Sequence, residues 1–462
     1  MPNDQQPPHH LERFEAKMRD SGLDPIVIAL FGDYYRQVVE GQTGIIPDEA
    51  IRPPQESEVA DAARLADYRE AGREALPHTV RITLNGGLGT SMGLTGPKSL
   101  LPVKDRHSFL EIILGQSERL EIQQALMNSF STQEATEDAL RALAPAHPPL
   151  MFTQNRFPKI LRDSLAPASW PANPDLEWNP PGHGDVYTAM TTSGILDRLL
   201  EKDIRYALIA NSDNLGATVD AAILGFFARE GLPFLLEVAE RTPADAKGGH
   251  LAVDAEGGLL LRESAQFPEN SDGRDIERYR FFNTNNLWVN LTALKDLVTR
   301  EHILRLPLIL NPKTLDPRDP ESPAVYQVES AMGAAIALFE GARAVRVPRT
   351  RFFPVKTCDD LMAVRSDAFR LNRKLVLEPH PDLIGPGPVI SLDKRFYKHI
   401  DMFDARFPEG VPSLVQCTGL RVTGDILFEG GVTIVGDVRI TNPHDRQATL
   451  TANTVVDQDL QL

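Results

Sequence analysis

Two lysines, an aspartate, a histidine and a group of side-chain amides stand in this chain where their chemistry is concentrated. Lys98 follows a run of glycines at 86, 87, 89, 93 and 96, within RITLNGGLGTSMGLTGPKSLLPVK from Arg81 to Lys104. Glycines accept positive φ and bring consecutive N–H groups close to an anion, while a lysine adds a mobile point charge. That is the composition of a phosphate cradle, with a surface turn as the plainer alternative. Asp213 lies in YALIANSDNLG, just past an apolar run. A carboxylate so placed can share Mg²⁺ with phosphate oxygens, or close the strand as an Asx turn. Lys356 stands in VPRTRFFPVKT beside Arg349 and Arg351, three cations in an acidic chain. His183, between Gly182 and Gly184 in WNPPGHGD, can donate to a phosphate or sugar oxygen. Gln154, after the apolar Phe152, offers an amide, and Lys247-Gly248-Gly249, Glu263, Asn283, Asn285 and Asn286 carry groups suited to sugar hydroxyls.

Two familiar phosphate loops are excluded. A P-loop needs Gly-Lys-Ser/Thr opening a helix, and Pro97 here removes a backbone donor directly before Lys98. The dinucleotide fingerprint fails because Gly87, Gly89 and Gly93 give G-x-G-x-x-x-G, with no acidic strand end at the usual distance. The run from Asn85 to Lys98, N-G-G-L-G-T-S-M-G-x-x-G-P-K, instead resembles the eukaryotic-type UTP:glucose-1-phosphate uridylyltransferases. MFTQNRFPKI, WNPPGHGD, NTNNLWVN and RFFPVK are similar to segments of that family, and the resemblance extends from about residue 80 to the end of the chain.

The resemblance implies a nucleotidyltransferase of the GT-A, Rossmann-like type that joins UTP to glucose 1-phosphate, releasing pyrophosphate with Mg²⁺ held at Asp213. It implies nucleotide contacts at Leu84, Asn85, Gly86, Gly87, Lys98, Gln154, Gly182 and Lys356, with Gln154 and Gly182 meeting uracil and with Lys98 and Lys356 catalytic. It places the sugar phosphate at His183, Asn211, Asp213, Gly249, Glu263, Asn283 and Asn285. Uracil suits Gln154, whose amide can pair at once with N3–H and an adjacent carbonyl, a pattern cytosine lacks. Thr350 replaces a serine common in the family and keeps the hydroxyl. A UDP-N-acetylhexosamine pyrophosphorylase usually carries Arg where Ser91 stands; a broad-specificity UDP-sugar enzyme differs by few contacts. A non-catalytic nucleotide-sugar sensor would be expected to lack one of Lys98, Asp213 and Lys356. Neither a Ser-His-Asp nor a Cys-His pattern occurs, and in-line nucleotidyl transfer requires none.

Elements must hold these groups in place. Residues 1–78 read as mostly helical, with Leu11, Phe14, Met18, Val27, Leu30, Phe31, Tyr34, Tyr35 and Val38 at helical spacing, and His9-His10 as part of a polar tail. Residues 79–378 alternate apolar runs (Leu150–Phe152, Tyr206–Ile209, Phe234–Val238, Leu287–Val289, Ala344–Val347) with helical stretches (Phe109–Gln116, Ala221–Ala228). That alternation predicts an α/β domain with a mainly parallel sheet and ligands at strand carboxyl ends. In residues 379–462, Leu414, Leu420, Ile426, Val432 and Val438 recur every six residues, as do Val422, Phe428, Ile434 and Ile440. A six-residue period is the mark of a parallel β-helix, with paired antiparallel strands as the alternative. The resemblance makes it left-handed and a place for homo-oligomer contacts.

With 462 residues, 42% of them hydrophobic, the chain can bury a substantial core. Its 48 basic and 64 acidic residues leave −16, which argues against nucleic-acid and anionic-membrane partners. Cys358 and Cys417 lack metal-ligand spacing, no run of about 18 apolar residues occurs, and the N-terminus carries no signal peptide, so the expectation is a cytoplasmic protein.

Overall fold

The structure is a computed structural model that describes residues 10–242, 245 and 248–462; His9 and Lys247 lie outside them. Eight strands form the path of an eleven-stranded central sheet. They are β1 (Val59–Asp61), β2 (Thr79–Asn85), β3 (Gln123–Asn128), β4 (Leu150–Thr153), β5 (Tyr206–Asn211), β6 (Phe234–Glu240), β7 (Phe281–Asn290) and β8 (Arg343–Arg346), in the order β1-β8-β6-β7-β5-β2-β3-β4. β7 is antiparallel to both neighbours, β6 and β5, and every other pairing along the path is parallel. The predicted mainly parallel α/β sheet is therefore present. β2 is buried at every position although its sequence alternates, because the face carrying Thr79, Arg81, Thr83 and Asn85 is covered as well as the one carrying Val80, Ile82 and Leu84, its polar groups bonding Ala75 O, Gln116, Gln124 and Asn128. The carboxyl ends of β2, β3, β4 and β5 lie along one edge.

Three details differ from the sequence reading. Residues 51–61 carry only a single 3-10 turn, Glu56–Glu58, between two strands: Ile51–Arg52 pairs with His250–Asp254, and β1 extends the central sheet beside β8. Their short apolar content carries no period, so only the open edges offered by His250–Asp254 and by β8 make them strands. Second, the asparagine run lies inside a ten-residue strand rather than before it. The β6–β7 register slips there, so that Glu237 faces Asn286 and Val238 faces Asn283. Thr284 and Asn285 form the bulge, with Asn285 at φ +56°. A bulge re-aims side chains locally. Third, the last predicted strand begins and ends one residue earlier, at Arg343–Arg346.

The N-terminal helices Leu11–Asp20 and Pro25–Val39 bury Phe14, Met18, Val27, Leu30, Phe31, Tyr34, Tyr35 and Val38. That face packs on Phe157, Ile160, Trp178, Leu308 and Val328. Asp24 caps the second helix by accepting from Ile26 N–H, and Pro25 needs no partner at the first position. In the C-terminal region, Val389–Leu392, Cys417–Thr423, Gly436–Thr441 and Leu460–Gln461 stack in parallel. Ile426–Phe428 stacks on Ala448–Leu450, and Thr433–Ile434 on Val455–Val456. All nine apolar hexad residues are buried. They share a core with Met92, Leu101, Phe109, Val355 and Cys358, so this region is packed against the glycine loop and the Lys356 segment.

Candidate active site

β2 delivers its chain into the glycine loop at the edge where the parallel strands end. Gly89 (φ +60°) and Gly93 (φ +76°) bracket a single turn, Thr90–Met92, and a Cβ on Gly89 would sit 2.7 Å from Leu94 Cδ1. Left-handed backbone and close self-packing together make glycine necessary there. Lys98 N–H donates to Gly87 O (3.0 Å), closing the loop. Pro97, at φ −57°, has no N–H to orphan and starts the turn Lys98–Leu100. Gly86 lies so close to Gln154 that a Cβ would come 3.0 Å from Oε1.

The two lysines meet on one carboxylate. Lys98 Nζ donates to Asp213 Oδ2 at 2.8 Å and Lys356 Nζ to the same atom at 2.6 Å. Burial alone would raise the Asp213 pKa; the Lys356 and Lys98 charges outweigh it and hold the carboxyl below its usual value. Asp213 Oδ1 is buried and has no partner among the described residues.

Hydrogen bonds at the end of β5 fix this arrangement. Val355 N–H donates to Asp213 O (3.0 Å), and Asn214 Oδ1 accepts from Phe353 N–H (2.8 Å) and Gly216 N–H (3.1 Å). Asn214 Nδ2 donates to Asn286 Oδ1 and Arg351 O, both at 3.1 Å. The Asx work thus falls to Asn214, which leaves Asp213 free to receive the lysines. Arg351 anchors the segment from behind, donating to Glu237 Oε2 (2.7 Å) and Oε1 (2.6 Å). Glu237 also accepts from Asn286 Nδ2 (3.0 Å) and Trp288 Nε1 (2.9 Å). Arg349 pairs with Asp245 at 2.8 Å. Of the three clustered cations, only Lys356 reaches the cleft.

The cleft holds about 360 Å³ and is lined by Leu84, Gly86, Gly87, Lys98, Gln154, Gly182, His183, Asn211, Asp213 and Lys356, all named from sequence. Met127, Pro180, Ser212 and Glu329 complete it. Gln154 Nε2 donates to Gly182 O (3.0 Å), which leaves Oε1 as the acceptor. Gly182 (φ +79°) is pressed against Ser330, whose O would lie 2.4 Å from a Cβ there. The glycines around His183 thus serve protein packing as well as any ligand. His183 Nδ1 accepts from Met332 N–H (3.0 Å), so the ring hydrogen of the neutral form is on Nε2. Burial, helped by Lys356, pushes its pKa down to about 4, and the ring is a neutral donor at pH 7.

The remaining residues group differently. Asn85 is buried, with Nδ2 donating to Asn128 Oδ1 (2.7 Å) and Thr136 Oγ1 (3.0 Å). Its side chain braces the strand ends and does not line the cleft. Gly249, Glu263, Asn283 and Asn285 form a cluster of their own: Asn283 Nδ2 donates to Asn285 Oδ1 (2.8 Å) and Glu263 Oε1 (3.3 Å). A Cβ on Gly249 would be 2.7 Å from Glu263 Oε2. Burial raises the Glu263 pKa against the pull of Asn283. The cluster meets the cleft through Gly333, beside Asn283, and Met332, bonded to His183.

Sequence reasoning missed Glu329, Glu237 and Asp185. Asp185 accepts from Asn155 N–H (2.6 Å) and Nδ2 (3.0 Å), and burial pushes its pKa up to about 7. The signal for it was adjacency to the GHG motif; Glu237 carried none, since it acts through distant partners, and Glu329 none, since only the fold brings it to the cleft.

The model of the UTP--glucose-1-phosphate uridylyltransferase family matches residues 28–435. The uridylyltransferase of Saccharomyces cerevisiae is 39% identical over 396 residues, spanning 82% of this chain and 78% of that protein. The Solanum tuberosum enzyme is 38% identical over 427 residues, spanning 89% and 87%. Among solved structures, a variant of UDP-glucose pyrophosphorylase from Leishmania major in complex with UDP-glucose is similar, with TM-score 0.90, 40% identity, and 98% and 100% of the two chains covered. A Trypanosoma brucei UDP-glucose phosphorylase gives TM-score 0.87 at 41% identity over 98% and 99%. The chain belongs to the UTP–glucose-1-phosphate uridylyltransferase family.

Proposed function

We propose that this protein transfers UMP from UTP to glucose 1-phosphate, yielding UDP-glucose and pyrophosphate. The observation that carries the reading is the convergence of Lys98 and Lys356 on Asp213 Oδ2 at the strand edge. A phosphate oxygen of the sugar phosphate attacks the α-phosphorus in line, the bond to the β-phosphate oxygen breaks, and pyrophosphate leaves. This step demands alignment and charge neutralisation rather than a protein nucleophile. Lys98 and Lys356 exchange Asp213 for phosphate oxygens as the nucleotide enters. Backbone from Leu84 to Gly87 cradles it, and Gln154 Oε1 receives the uracil N3–H. Neutral His183 donates through Nε2 to the sugar phosphate, and Asn285, Asn283, Glu263 and Gly249 meet the hexose hydroxyls.

Nucleotidyltransferases typically use a divalent metal, and we assign Mg²⁺ to Asp213. The unpartnered Oδ1 and the hard oxygen donor suit it. No cluster of three His, Cys, Asp or Glu occurs among the described residues, so the other ligands would be phosphate and water. When bound, the ion would neutralise charge on the phosphates. The two buried free thiols, Cys358 and Cys417, suit a reducing, cytoplasmic compartment. We read the stacked parallel strands of residues 379–462 as a left-handed β-helix that pairs with a second copy through its last coil, where Val455 is 62% exposed. Unchanged sedimentation of Val455→Asp at concentrations where the wild type associates would remove that interface.

Pyrophosphate release from UTP with a panel of sugar 1-phosphates tests the activity. Release with glucose 1-phosphate is expected; release only with another sugar would overturn the specificity, and none with any sugar the reaction.

A further inference from the structure

A second cavity lies on the other side of β2 from the chemistry just described, and its charge is opposite to that of the molecule. It encloses about 350 Å³, within the range of small-ligand sites. Arg69, Arg73, Arg81, Arg119 and Lys374 line it against a single carboxylate, Asp220, in a chain whose net charge is −16. Asp220 is already engaged, its Oδ1 accepting from Ala222 N–H (2.8 Å) and Ile223 N–H (3.0 Å).

The floor is Arg81, a β2 residue only 1% exposed. Its Nη1 donates to Gln116 Oε1 (2.5 Å), while Nε and Nη2 are buried with no partner among the described residues. A buried guanidinium carries a large desolvation cost that proteins ordinarily offset with a carboxylate. Nothing of the kind bonds Arg81 among the described residues, and burial, with Arg351 nearby, lowers its pKa to about 9. Arg351 gives no relief, being itself a cation committed to Glu237. The four other cations are exposed at the rim. Arg73 is paired with Glu70 (2.7 Å), and Arg119 donates to Arg373 O (2.9 Å) and Gly115 O (2.8 Å), which holds its guanidinium at the rim. Buried donors below and exposed cations above are the arrangement that an oxyanion with several acceptor atoms satisfies.

We propose that this cavity is a second anion site, taking a phosphate-type oxyanion, either free orthophosphate or the phosphoryl group of a small monoester, with Arg81 at its base and Arg119 and Lys374 at its mouth. The site adjoins the catalytic segments: β2 ends in the glycine loop, and Thr218 in the cavity wall accepts from Arg351 Nη2 at 2.8 Å.

Calorimetric titration of the full chain with orthophosphate, and separately with glycerol 3-phosphate, tests the proposal. Phosphate can also bind at the lysine pair, so the titration is repeated in Lys98→Ala/Lys356→Ala. That variant is expected to retain one phosphate site. Arg119→Ala/Lys374→Ala, altered only at the exposed rim, is expected to bind there about tenfold or more weakly, and Arg81→Met to lose the site, since each removes charge-assisted hydrogen bonds to the anion. Tighter binding of the monoester assigns the site to a metabolite, and the reverse to the free ion. Loss of all phosphate binding with the lysine pair, or binding unchanged in the rim variant, would overturn it. Should Arg81→Met fail to fold, the rim variant decides.

Discussion

Lys356→Ala should separate catalysis from stability. The Lys356 side chain is 55% exposed and its ion pair with Asp213 is 2.6 Å long. Exposed pairs of this kind contribute about 1 kcal/mol or less after solvent screening. Asp213 keeps its second cation, Lys98, at 2.8 Å with both side chains 9% exposed, so the variant leaves no bare buried carboxylate. The melting temperature should therefore move by only a few degrees, roughly. In the mechanism proposed above the same amine would face charge passing to the departing pyrophosphate, where loss of one electrostatic stabiliser costs about 10²-fold or more in kcat. That corresponds to about 2.7 kcal/mol, well above the stability term. Steady-state pyrophosphate release gives kcat, calorimetry gives UTP affinity, and a thermal melt gives stability. The expected outcome is a kcat lower by at least about 10²-fold with UTP affinity changed far less. A near-normal kcat, or a loss of activity matched by unfolding at assay temperature, would refute the reasoning.

Other outcomes follow from the supporting structure. Glu237→Ala leaves Arg351 buried without its carboxylate and should cost about 3–5 kcal/mol, read by denaturant unfolding, although Glu237 touches no cleft residue. Gly182→Ala forces a Cβ to 2.4 Å from Ser330 O at φ +79°, so UTP affinity should fall and a wild-type Kd would show that the loop yields freely. The folded protein holds the Asp185 proton up to about pH 7 against an unfolded value of 3.8. Its contribution to stability is therefore present below about pH 4 and lost as pH climbs through 7. In Asp185→Asn that loss is absent, so the melting temperature of the variant relative to wild type should rise between pH 5 and pH 8. A constant difference would remove Asp185 from the linkage. The His183 ring, with its pKa lowered, titrates in both proteins and cancels from the comparison.

Much of this protein is determined locally. The glycine loop is legible because positive φ at Gly89 and Gly93 and close approach to Gln154 at Gly86 are demands that glycine meets with least strain. The hexad repeat is legible because parallel strands stacked in register bury the same side-chain position each time, and each named apolar residue is buried. The N-terminal helices are readable from a single apolar face at the 3.6-residue period. Residues 51–61 are not, since strands of two or three residues form only where a neighbouring edge offers hydrogen bonds.

For the candidate site, the sequence by itself named the residue types suited to a phosphorylated ligand, and one cleft gathers most of them. Tertiary structure alone decided their pairing. That Arg351 belongs to Glu237, that Asn214 takes the turn so that Asp213 can hold two lysines, and that a bulge separates Asn285 from Asn286 all depend on contacts between strands remote in sequence. A charged side chain looks the same in a sequence whether it faces water, a partner or a substrate. Burial and distance, which fix its energy, exist only once the chain has folded.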